Sequence, residues 1–350
     1  MRIGKNPYKG ERNNRPKSYV SKDVLCSMLV YVPNMNGYFK ERFDGMKICL
    51  GSLILHTDKE IADILVFDQG SCEEVTNYLS ELKNKGDITY LFLSNKNLGV
   101  NGAMNYIYSI CQGEYLCWAD DDVFFYPGWL EKSLEIAKTY PGVGTVSASP
   151  ISSKFSTYNT VAANLPQTNQ NIKIVNGKWN DKWDEIFRNS LGDAHLVVEN
   201  QNIPLYICNN VEAFAVNSHF QYLITKQARE AIYPFNVGLA MSSSFENPEF
   251  NLVLALDKKM DDLGFAKLST NGLYAEHLGG TLSERVQQLA NEYDILNLNV
   301  KKAAAPNMTF VKYLFFKFMN IPYVGKLPYK IYDFLFKIIN EKRIYNMRKK

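Results

Sequence analysis

Apolar runs and helical repeats alternate along residues 24–149 of the sequence. Short continuous apolar runs that stop at turn residues predict buried strands, here Val24–Val32, Ile64–Phe67, Thr89–Leu93, Tyr115–Trp118 and Val143–Ser149. Apolar residues at helical spacing between them predict helices at Tyr38–Leu55, Glu73–Lys85, Gly99–Cys111 and Pro127–Tyr140. Alternation of this kind predicts the fold class α/β, with a mostly parallel central sheet that carries helices on both faces.

The pattern changes in the second half of the chain. Residues 150–204 are rich in Asn, Ser, Thr and Gln and lose the alternation, so we expect an insertion there. Apolar pattern returns at Leu205–Val216 and is followed by predicted helices near Thr225–Ile232 and Glu249–Leu263 and predicted strands near Phe265–Leu268 and Tyr274–His277. Ligands of such sheets bind beyond the carboxyl ends of the strands, where the polar segments of this chain fall.

The net charge of +3 hides an uneven distribution. Residues 1–22 form a basic extension of net charge +6, residues 23–305 carry −11, and residues 306–350 carry +8. A hydrophobic fraction of 46% excludes wholesale disorder. The acidic central region argues against nucleic acid as a partner.

Targeting signals and cysteine spacing bear on the compartment. The N-terminal residues contain no apolar segment of the secretory type, and no run reaches the roughly 18 uncharged apolar residues of a spanning helix. The six cysteines show neither CxxC pairs nor metal-type spacing, and most lie in apolar runs. We therefore expect a reducing compartment, the cytoplasm.

The strongest chemical signal is the acidic triplet Asp120-Asp121-Asp122, directly after a predicted buried strand. Carboxylates this close raise one another's pKa, and a divalent cation relieves the repulsion. Oxygen ligands on a loop suit Mg²⁺ or Mn²⁺, with a substrate phosphate completing the coordination shell. The alternative is an acidic loop that caps the helix opened by Pro127.

Several motifs occur in a definite order along the chain. They are Asp68-Gln69-Gly70-Ser71, the segment Asn97–Asn105, Gly113-Glu114-Tyr115, the acidic triplet and Pro127-Gly128-Trp129-Leu130-Glu131. This combination resembles the GT-A glycosyltransferases, family 2 in particular, well over residues 23–150 and more loosely over 205–280. The resemblance implies a Rossmann-like GT-A catalytic domain over 23–305, with a nucleotide-sugar-binding half (23–150), an insertion (150–204) and an acceptor half (205–305).

The resemblance also implies roles for matching residues. Asp68 matches an acid that contacts the nucleotide base, and the triplet matches the DxD motif that holds a metal and the ribose–diphosphate. Expected donor-binding residues are Tyr31, Pro33, Asp68, Asn97, Gly99, Asp120 and Asp121, and expected metal ligands are Asp120, Asp122 and His277. The alternatives are an Asx-type turn at Asp68, helix packing at Gly99 and a structural role for His277.

The catalytic base is expected in the segment Phe245–Asn251, where the family has an adjacent acidic pair at a helix start. In inverting members one of these carboxylates deprotonates the acceptor hydroxyl. Here the acids are separated, as Glu246 and Glu249. We favour Glu249 as the base and an inverting mechanism, with Glu246 as the alternative. A carboxylate at a helix start is also stabilised by the helix dipole alone.

The C-terminal segment 306–350 combines aromatic and basic residues on two predicted helices that Pro322 and Pro328 delimit. Amphipathic helices of this composition suit an anionic membrane surface, so we expect peripheral attachment to its cytoplasmic face. The alternatives are packing on the catalytic domain or on a second copy in a homodimer.

The resulting hypothesis is a glycosyltransferase of the hexosyltransferase type that depends on Mn²⁺ or Mg²⁺. It would move a sugar from a nucleotide donor, with a UDP-sugar favoured, to a saccharide or lipid-linked saccharide in bacterial surface polysaccharide synthesis. One alternative is a nucleotidyltransferase, but segment 33–37 has none of the basic residues that a triphosphate loop needs. Another is a non-catalytic module that binds carbohydrate or nucleotide.

Overall fold

The computed structural model describes residues 19–151, 158–175, 179–191, 203–235 and 251–295. The strands of one large sheet are β1 (Val24–Val30), β2 (Ala62–Gln69), β3 (Tyr90–Ser94), β4 (Tyr115–Ala119), β6 (Val143–Ser147), β7 (Ile172–Val175), β8 (Leu205–Cys208), β9 (Val211–Phe214), β10 (Gln221–Thr225) and β11 (Ala266–Ser269). Two further strands, β5 (Val123–Phe125) and β12 (Ala275–His277), form a separate antiparallel pair.

Helices connect or cover these strands. They are α1 (Arg42–Leu55), α2 (Glu73–Lys85), α3 (Gly99–Ile110), α4 (Trp129–Thr139), α5 (Thr160–Thr168), α6 (Asp181–Ser190), α7 (Lys226–Ile232), α8 (Leu252–Asp262) and α9 (Glu284–Glu292). A short 3-10 turn, Gly37–Phe39, precedes α1. Within the described ranges, no helix has the length and apolar character needed to cross a membrane.

The strand order of the large sheet is β3-β2-β1-β4-β10-β6-β11-β9-β8-β7. Strands β1 to β4 are mutually parallel, whereas β10 runs antiparallel to both of its neighbours, β4 and β6. The predicted α/β class with a mostly parallel sheet is confirmed. Because parallel strands end at one edge, the segments that follow β1, β2 and β4 meet there.

Both faces of the sheet are buried under helices. On β1, Cys26 and Met28 pack in the core that contains residues of α1 and α2, whereas Leu25 and Leu29 pack in the core of α3, α7 and α8. Burial on both sides explains why β1 is a continuous apolar run in the sequence rather than an alternating one. The expected helices on both faces are therefore present.

The segment 150–204 contains more regular structure than its composition predicts. Its described parts include α5, β7 and α6, and β7 extends the large sheet by pairing antiparallel with β8. The side chain of Asn159 fixes the start of α5 by donating to the backbone oxygens of Ala215 (3.1 Å) and Lys267 (3.0 Å). These elements are short and depend on such tertiary contacts, so the local pattern does not predict them.

Three expectations fall on parts of the chain that lie outside the described residues. They are the basic extension up to residue 18, the predicted bases Glu246 and Glu249, and the C-terminal segment 306–350.

Candidate functional site

The acidic triplet occupies the loop between β4 and β5 at the carboxyl edge of the sheet. The backbone N–H of Asp120 donates to the carbonyl oxygen of Phe220, just before β10, at 3.0 Å. The backbone oxygen of Asp122 accepts from the N–H of Leu278, just after β12, at 2.8 Å. The loop is thus held between segments that are far apart in the sequence.

Arg42, the first residue of α1, inserts its guanidinium group among these carboxylates. Its Nη1 donates to Oδ2 of Asp122 at 2.9 Å, and its Nη2 donates to Oδ1 of Asp121. The ring of Tyr38 lies 5.9 Å from the guanidinium carbon. A cation at a helix N-terminus is opposed by the helix dipole, so the two carboxylates are what stabilise Arg42 in this position.

Burial and the proximity of the acidic side chains raise the pKa values of Asp120 and Asp121. Burial, and then the charges of Asp122 and Asp121, raise the pKa of Asp120 well above its usual range. Burial raises the pKa of Asp121 to about 7, although the charge of Arg42 acts in the opposite direction. Burial acts to lower the pKa of Arg42, but the carboxylates of Asp121 and Asp122 outweigh it and raise that pKa. With one guanidinium group among three acidic side chains, the loop favours either bound protons or a further cation.

His277, at the end of β12, lies beside the triplet. Its Nε2 is 3.5 Å from Oδ1 of Asp122, and its Nδ1 is 2.6 Å from Oγ of Ser190 at the end of α6. The ring packs against Phe220 and Phe187, with centroids 5.2 and 5.7 Å away. The structure therefore brings together two of the three predicted metal ligands, His277 and Asp122.

The donor atoms at this loop fit a hard divalent cation. Carboxylate oxygens of Asp120 and Asp122 with an imidazole nitrogen of His277 are ligands that Mn²⁺ accepts, and a cation would relieve the crowding that raises the carboxyl pKa values. In the part of the chain that the structure describes, no three acidic, His or Cys side chains already surround a common ion position. Arg42 instead holds two of the carboxylates.

A second polar feature is the turn after β2. Oδ2 of Asp68 accepts from the backbone N–H groups of Gly70 (3.1 Å) and Ser71 (3.2 Å). Its Oδ1 is buried and has no hydrogen-bond partner among the described residues. A buried acceptor without a donor is costly, so Oδ1 of Asp68 is suited to receive an N–H group from a ligand.

The remaining predicted donor-binding residues adjoin these two features. The N–H of Tyr31 donates to Oδ2 of Asp121 at 3.4 Å, and Pro33 lies two residues further along the same half-buried segment. Oδ1 of Asn97 accepts from the N–H of Gly99 at 2.7 Å, where φ of Gly99 is +69°. Between them, the backbone N–H of Leu98 donates to the side-chain oxygen of Gln69 at 3.2 Å. This bond joins the start of α3 to the Asp68 turn.

Two polar groups at this edge have no counterpart in the sequence predictions. One is Arg42, which the helical pattern treats as an ordinary residue of α1; its signal is a basic side chain at a helix N-terminus, against the dipole. The other is His219, whose Nε2 lies 2.9 Å from Oδ2 of Asp257 in α8. A lone histidine in a polar segment gives no sequence signal for such a contact.

Comparison with known proteins yields one family match. Residues 30–194 match the family described as Glycosyl transferase family 2. No curated protein sequence matches the chain. The matched segment contains Asp68, the start of α3 and the acidic triplet, and it ends before β8.

Similar solved structures share a limited part of the fold. One is the mannosyltransferase PcManGT from Pyrobaculum calidifontis in complex with GDP-Man and Mn²⁺, with 17% identity over 38% of this chain and 39% of that chain, at a TM-score of 0.28. Another is residues 1–349 of TarS from S. aureus in complex with UDP-GlcNAc, with 16% identity over 38% of this chain and 34% of that chain, at a TM-score of 0.30. The likeness thus spans well under half of either chain.

Proposed function

We propose that the protein transfers a sugar from a nucleotide-sugar donor to an acceptor hydroxyl, starting from the match of residues 30–194 to glycosyl transferase family 2. The observation that carries the proposal is the pairing of two features at one edge of the sheet. The acidic triplet suits the cation and diphosphate of a donor, and the unpartnered Oδ1 of Asp68 suits its base. Both features lie inside the matched segment.

The base is proposed to bind beside Asp68, above the segment that begins at Tyr31. A buried carboxylate oxygen is stabilised by a hydrogen-bond donor, and the single ring N–H of uracil supplies one. Cytosine has no ring N–H of this kind. Guanine also carries a ring N–H, so this chemistry disfavours a CDP-sugar and is consistent with a UDP-sugar, the donor that we propose.

Asp120, Asp122 and His277 are proposed to hold Mn²⁺ or Mg²⁺. When bound there, the ion supplies positive charge beside the diphosphate that leaves the sugar. The protein's own contribution is to position that diphosphate. The N-terminus of α3, which begins at Gly99 and lies beside the Asp68 turn, presents backbone N–H groups and the positive end of a helix dipole at the same edge.

The acceptor hydroxyl requires a base, and we propose Glu249 for this role, with Glu246 as the alternative. Transfer would then proceed by direct displacement and invert the anomeric centre. We further propose that the transferred group is a hexosyl group and that the acceptor is a saccharide or lipid-linked saccharide. The reaction would then belong to surface polysaccharide synthesis. Replacement of Glu249 by Gln should abolish transfer without weakening donor binding; full activity of this variant would contradict the assignment.

The basic and aromatic segment 306–350 is proposed to attach the enzyme to the anionic cytoplasmic face of a membrane. A chain shortened to residue 305 should no longer sediment with vesicles that contain phosphatidylglycerol, whereas the full chain should. Equal sedimentation of both would contradict this attachment. Dimerisation of the full chain alone, measured by light scattering, would instead assign the segment to a contact between copies.

Nucleotide binding tests the main proposal directly. With Mn²⁺ present, UDP-sugars should raise the melting temperature more than GDP- or CDP-sugars do, and Asp120→Asn or Asp122→Asn should remove the effect. Asp44→Asn is the matched control, because Asp44 pairs with Lys47 on α1 away from the triplet. If no nucleotide sugar stabilises the protein, the proposal is contradicted and the non-catalytic binding module is favoured. If the protein releases pyrophosphate rather than UDP, the nucleotidyltransferase is favoured instead.

A further inference from the structure

Arg42 and a divalent cation require the same carboxylate. Both terminal nitrogens of Arg42 are engaged, one with Asp122 and one with Asp121, and its side chain is 15% exposed. Oδ1 of Asp122 faces His277, and its Oδ2 faces Arg42. A cation bound by Asp122 and His277 would therefore lie beside a guanidinium group of the same sign of charge, which is unfavourable in a half-buried loop.

The position of Arg42 is supported by its surroundings. A Cβ atom at Gly280 would lie 3.2 Å from Cδ and 3.3 Å from Nη1 of Arg42, so the absence of a side chain at Gly280 leaves room for the guanidinium group. Glu41, the residue before Arg42, accepts from the backbone N–H of Leu282 at 3.0 Å. This bond joins the loop that contains Gly280 to the start of α1. The Tyr38 ring also contacts the guanidinium group. Arg42 is thus surrounded by the acidic loop, the loop 280–282 and the 3-10 turn that contains Tyr38.

We propose that Arg42 is the built-in counter-cation of the acidic triplet and that a divalent ion must displace it from Asp122 to bind. The inference rests on the proposed function for the metal role of Asp122. Its consequence is that the free enzyme binds the metal weakly. The diphosphate of a nucleotide offers the displaced guanidinium group a new anionic partner, because Arg pairs well with phosphate. Metal and nucleotide therefore bind cooperatively, with Arg42 as the group that couples them.

Manganese binding measured by electron paramagnetic resonance tests this exchange without any activity readout. In the absence of nucleotide, Arg42→Met should bind Mn²⁺ at least about tenfold more tightly than the unaltered protein, equivalent to about 1.4 kcal/mol. Lys47→Met is the matched control, since it removes the same charge from the same helix but pairs with Asp44 instead. Equal Mn²⁺ affinity of Arg42→Met and the unaltered protein, or an equal gain in Lys47→Met, would overturn the inference.

Two further measurements make the test decisive. Arg42→Lys retains a cation but loses the two-pronged contact, so it should fold even if Arg42→Met does not and should show a smaller gain in Mn²⁺ affinity. UDP should tighten Mn²⁺ binding to the unaltered protein more than to either Arg42 variant, and equal tightening would contradict the coupling role. If Arg42→Met gains Mn²⁺ affinity but no nucleotide binds the unaltered protein, the proposed function fails while the exchange at Asp122 holds.

Discussion

His219 and Asp257 form a polar contact at the centre of a buried charge cluster, with Nε2 of His219 2.9 Å from Oδ2 of Asp257. The other oxygen of the carboxylate, Oδ1, lies 3.8 Å from Nζ of Lys267, and the Asp257 and Lys267 side chains are 3% and 1% exposed. Burial lowers the pKa of Lys267, and the charge of Asp257 opposes this shift. The cluster joins α8 and β11 to the segment before β10, which also holds the acidic loop through Phe220.

Replacing Asp257 by Asn should destabilise the fold strongly. The substitution removes the carboxylate that forms an ion pair with Lys267 in a buried site, and removing one partner of a buried ion pair costs about 3–5 kcal/mol. The free energy of unfolding from urea titration measures the loss. Asp262→Asn is the control, because Asp262 pairs with Lys258 on the exposed side of α8 and should cost less than about 0.5 kcal/mol. Similar losses in the two variants would show that Asp257 does not stabilise a charged Lys267.

The first half of the fold could be predicted because its signals are local. The predicted helix Glu73–Lys85 has the same bounds in the structure, since its apolar face is regular and Gly86 ends it with φ of +79°. The strand at Val24–Val30 follows from an apolar run buried on both faces. By contrast, β7 and α6 depend on pairing and packing with distant segments, so sequence pattern did not predict them.

The residues of the candidate site likewise divide into those that local sequence signals predict and those that depend on distant contacts. Asp68 and the acidic triplet could be singled out because Asp68 lies at the end of β2 and the triplet directly follows β4, and parallel strands bring such residues to one edge. Arg42 could not be assigned to the site, because its contact with Asp121 spans 79 positions and exists only once α1 packs on the sheet. The metal-ligand role of His277 was predicted only from the family resemblance, and the structure places its Nε2 3.5 Å from Oδ1 of Asp122.

Asp68→Asn should separate stability from nucleotide binding. The amide oxygen can still accept from Gly70 and Ser71, while an NH₂ group replaces the buried oxygen that has no donor. We expect a melting temperature close to that of the unaltered protein, because one unpartnered buried polar group replaces another, and UDP affinity lowered by about tenfold or more, the range of a lost hydrogen bond to a charged group.

Asp58→Asn is the matched control for that substitution. Oδ1 of Asp58 accepts from the backbone N–H of Glu60 at 2.8 Å in an exposed turn, so the same chemical change is made away from the site. Isothermal titration with UDP should show no change in this variant. Undiminished UDP binding by Asp68→Asn would remove Asp68 from the base site.

Gly279→Ala should damage both the fold and the position of His277. A Cβ atom at Gly279 would lie 2.3 Å from the backbone oxygen of Ser190, and φ of Gly279 is +73°. Crowding against backbone and a strained φ together should cost about 2–4 kcal/mol. The loop would also shift away from α6, where Ser190 bonds Nδ1 of His277. Chemical denaturation and Mn²⁺ affinity measure the two effects.

Gly86→Ala separates strain from crowding. Gly86 has a similar φ of +79°, but no atom lies within 4 Å of its Cβ position. This variant should lose only about 1 kcal/mol, the cost of the backbone conformation, and keep its Mn²⁺ affinity. Equal losses in the two glycine variants would mean that the approach of Gly279 to Ser190 relaxes without cost.

His56 should contribute a pH-dependent part of the stability. The residue follows α1, its Nδ1 lies 2.6 Å from the carbonyl oxygen of Phe125, and burial lowers its pKa below the usual value of about 6.5. Since the unfolded chain then takes up a proton at higher pH than the folded protein does, this contribution is complete above about pH 6.5 and is lost as the pH falls below it. His56→Gln retains a donor for Phe125, so its melting temperature should fall less than that of the unaltered protein between about pH 7.5 and about pH 5.5. An identical fall in both proteins would show that His56 titrates alike in the folded and unfolded chains.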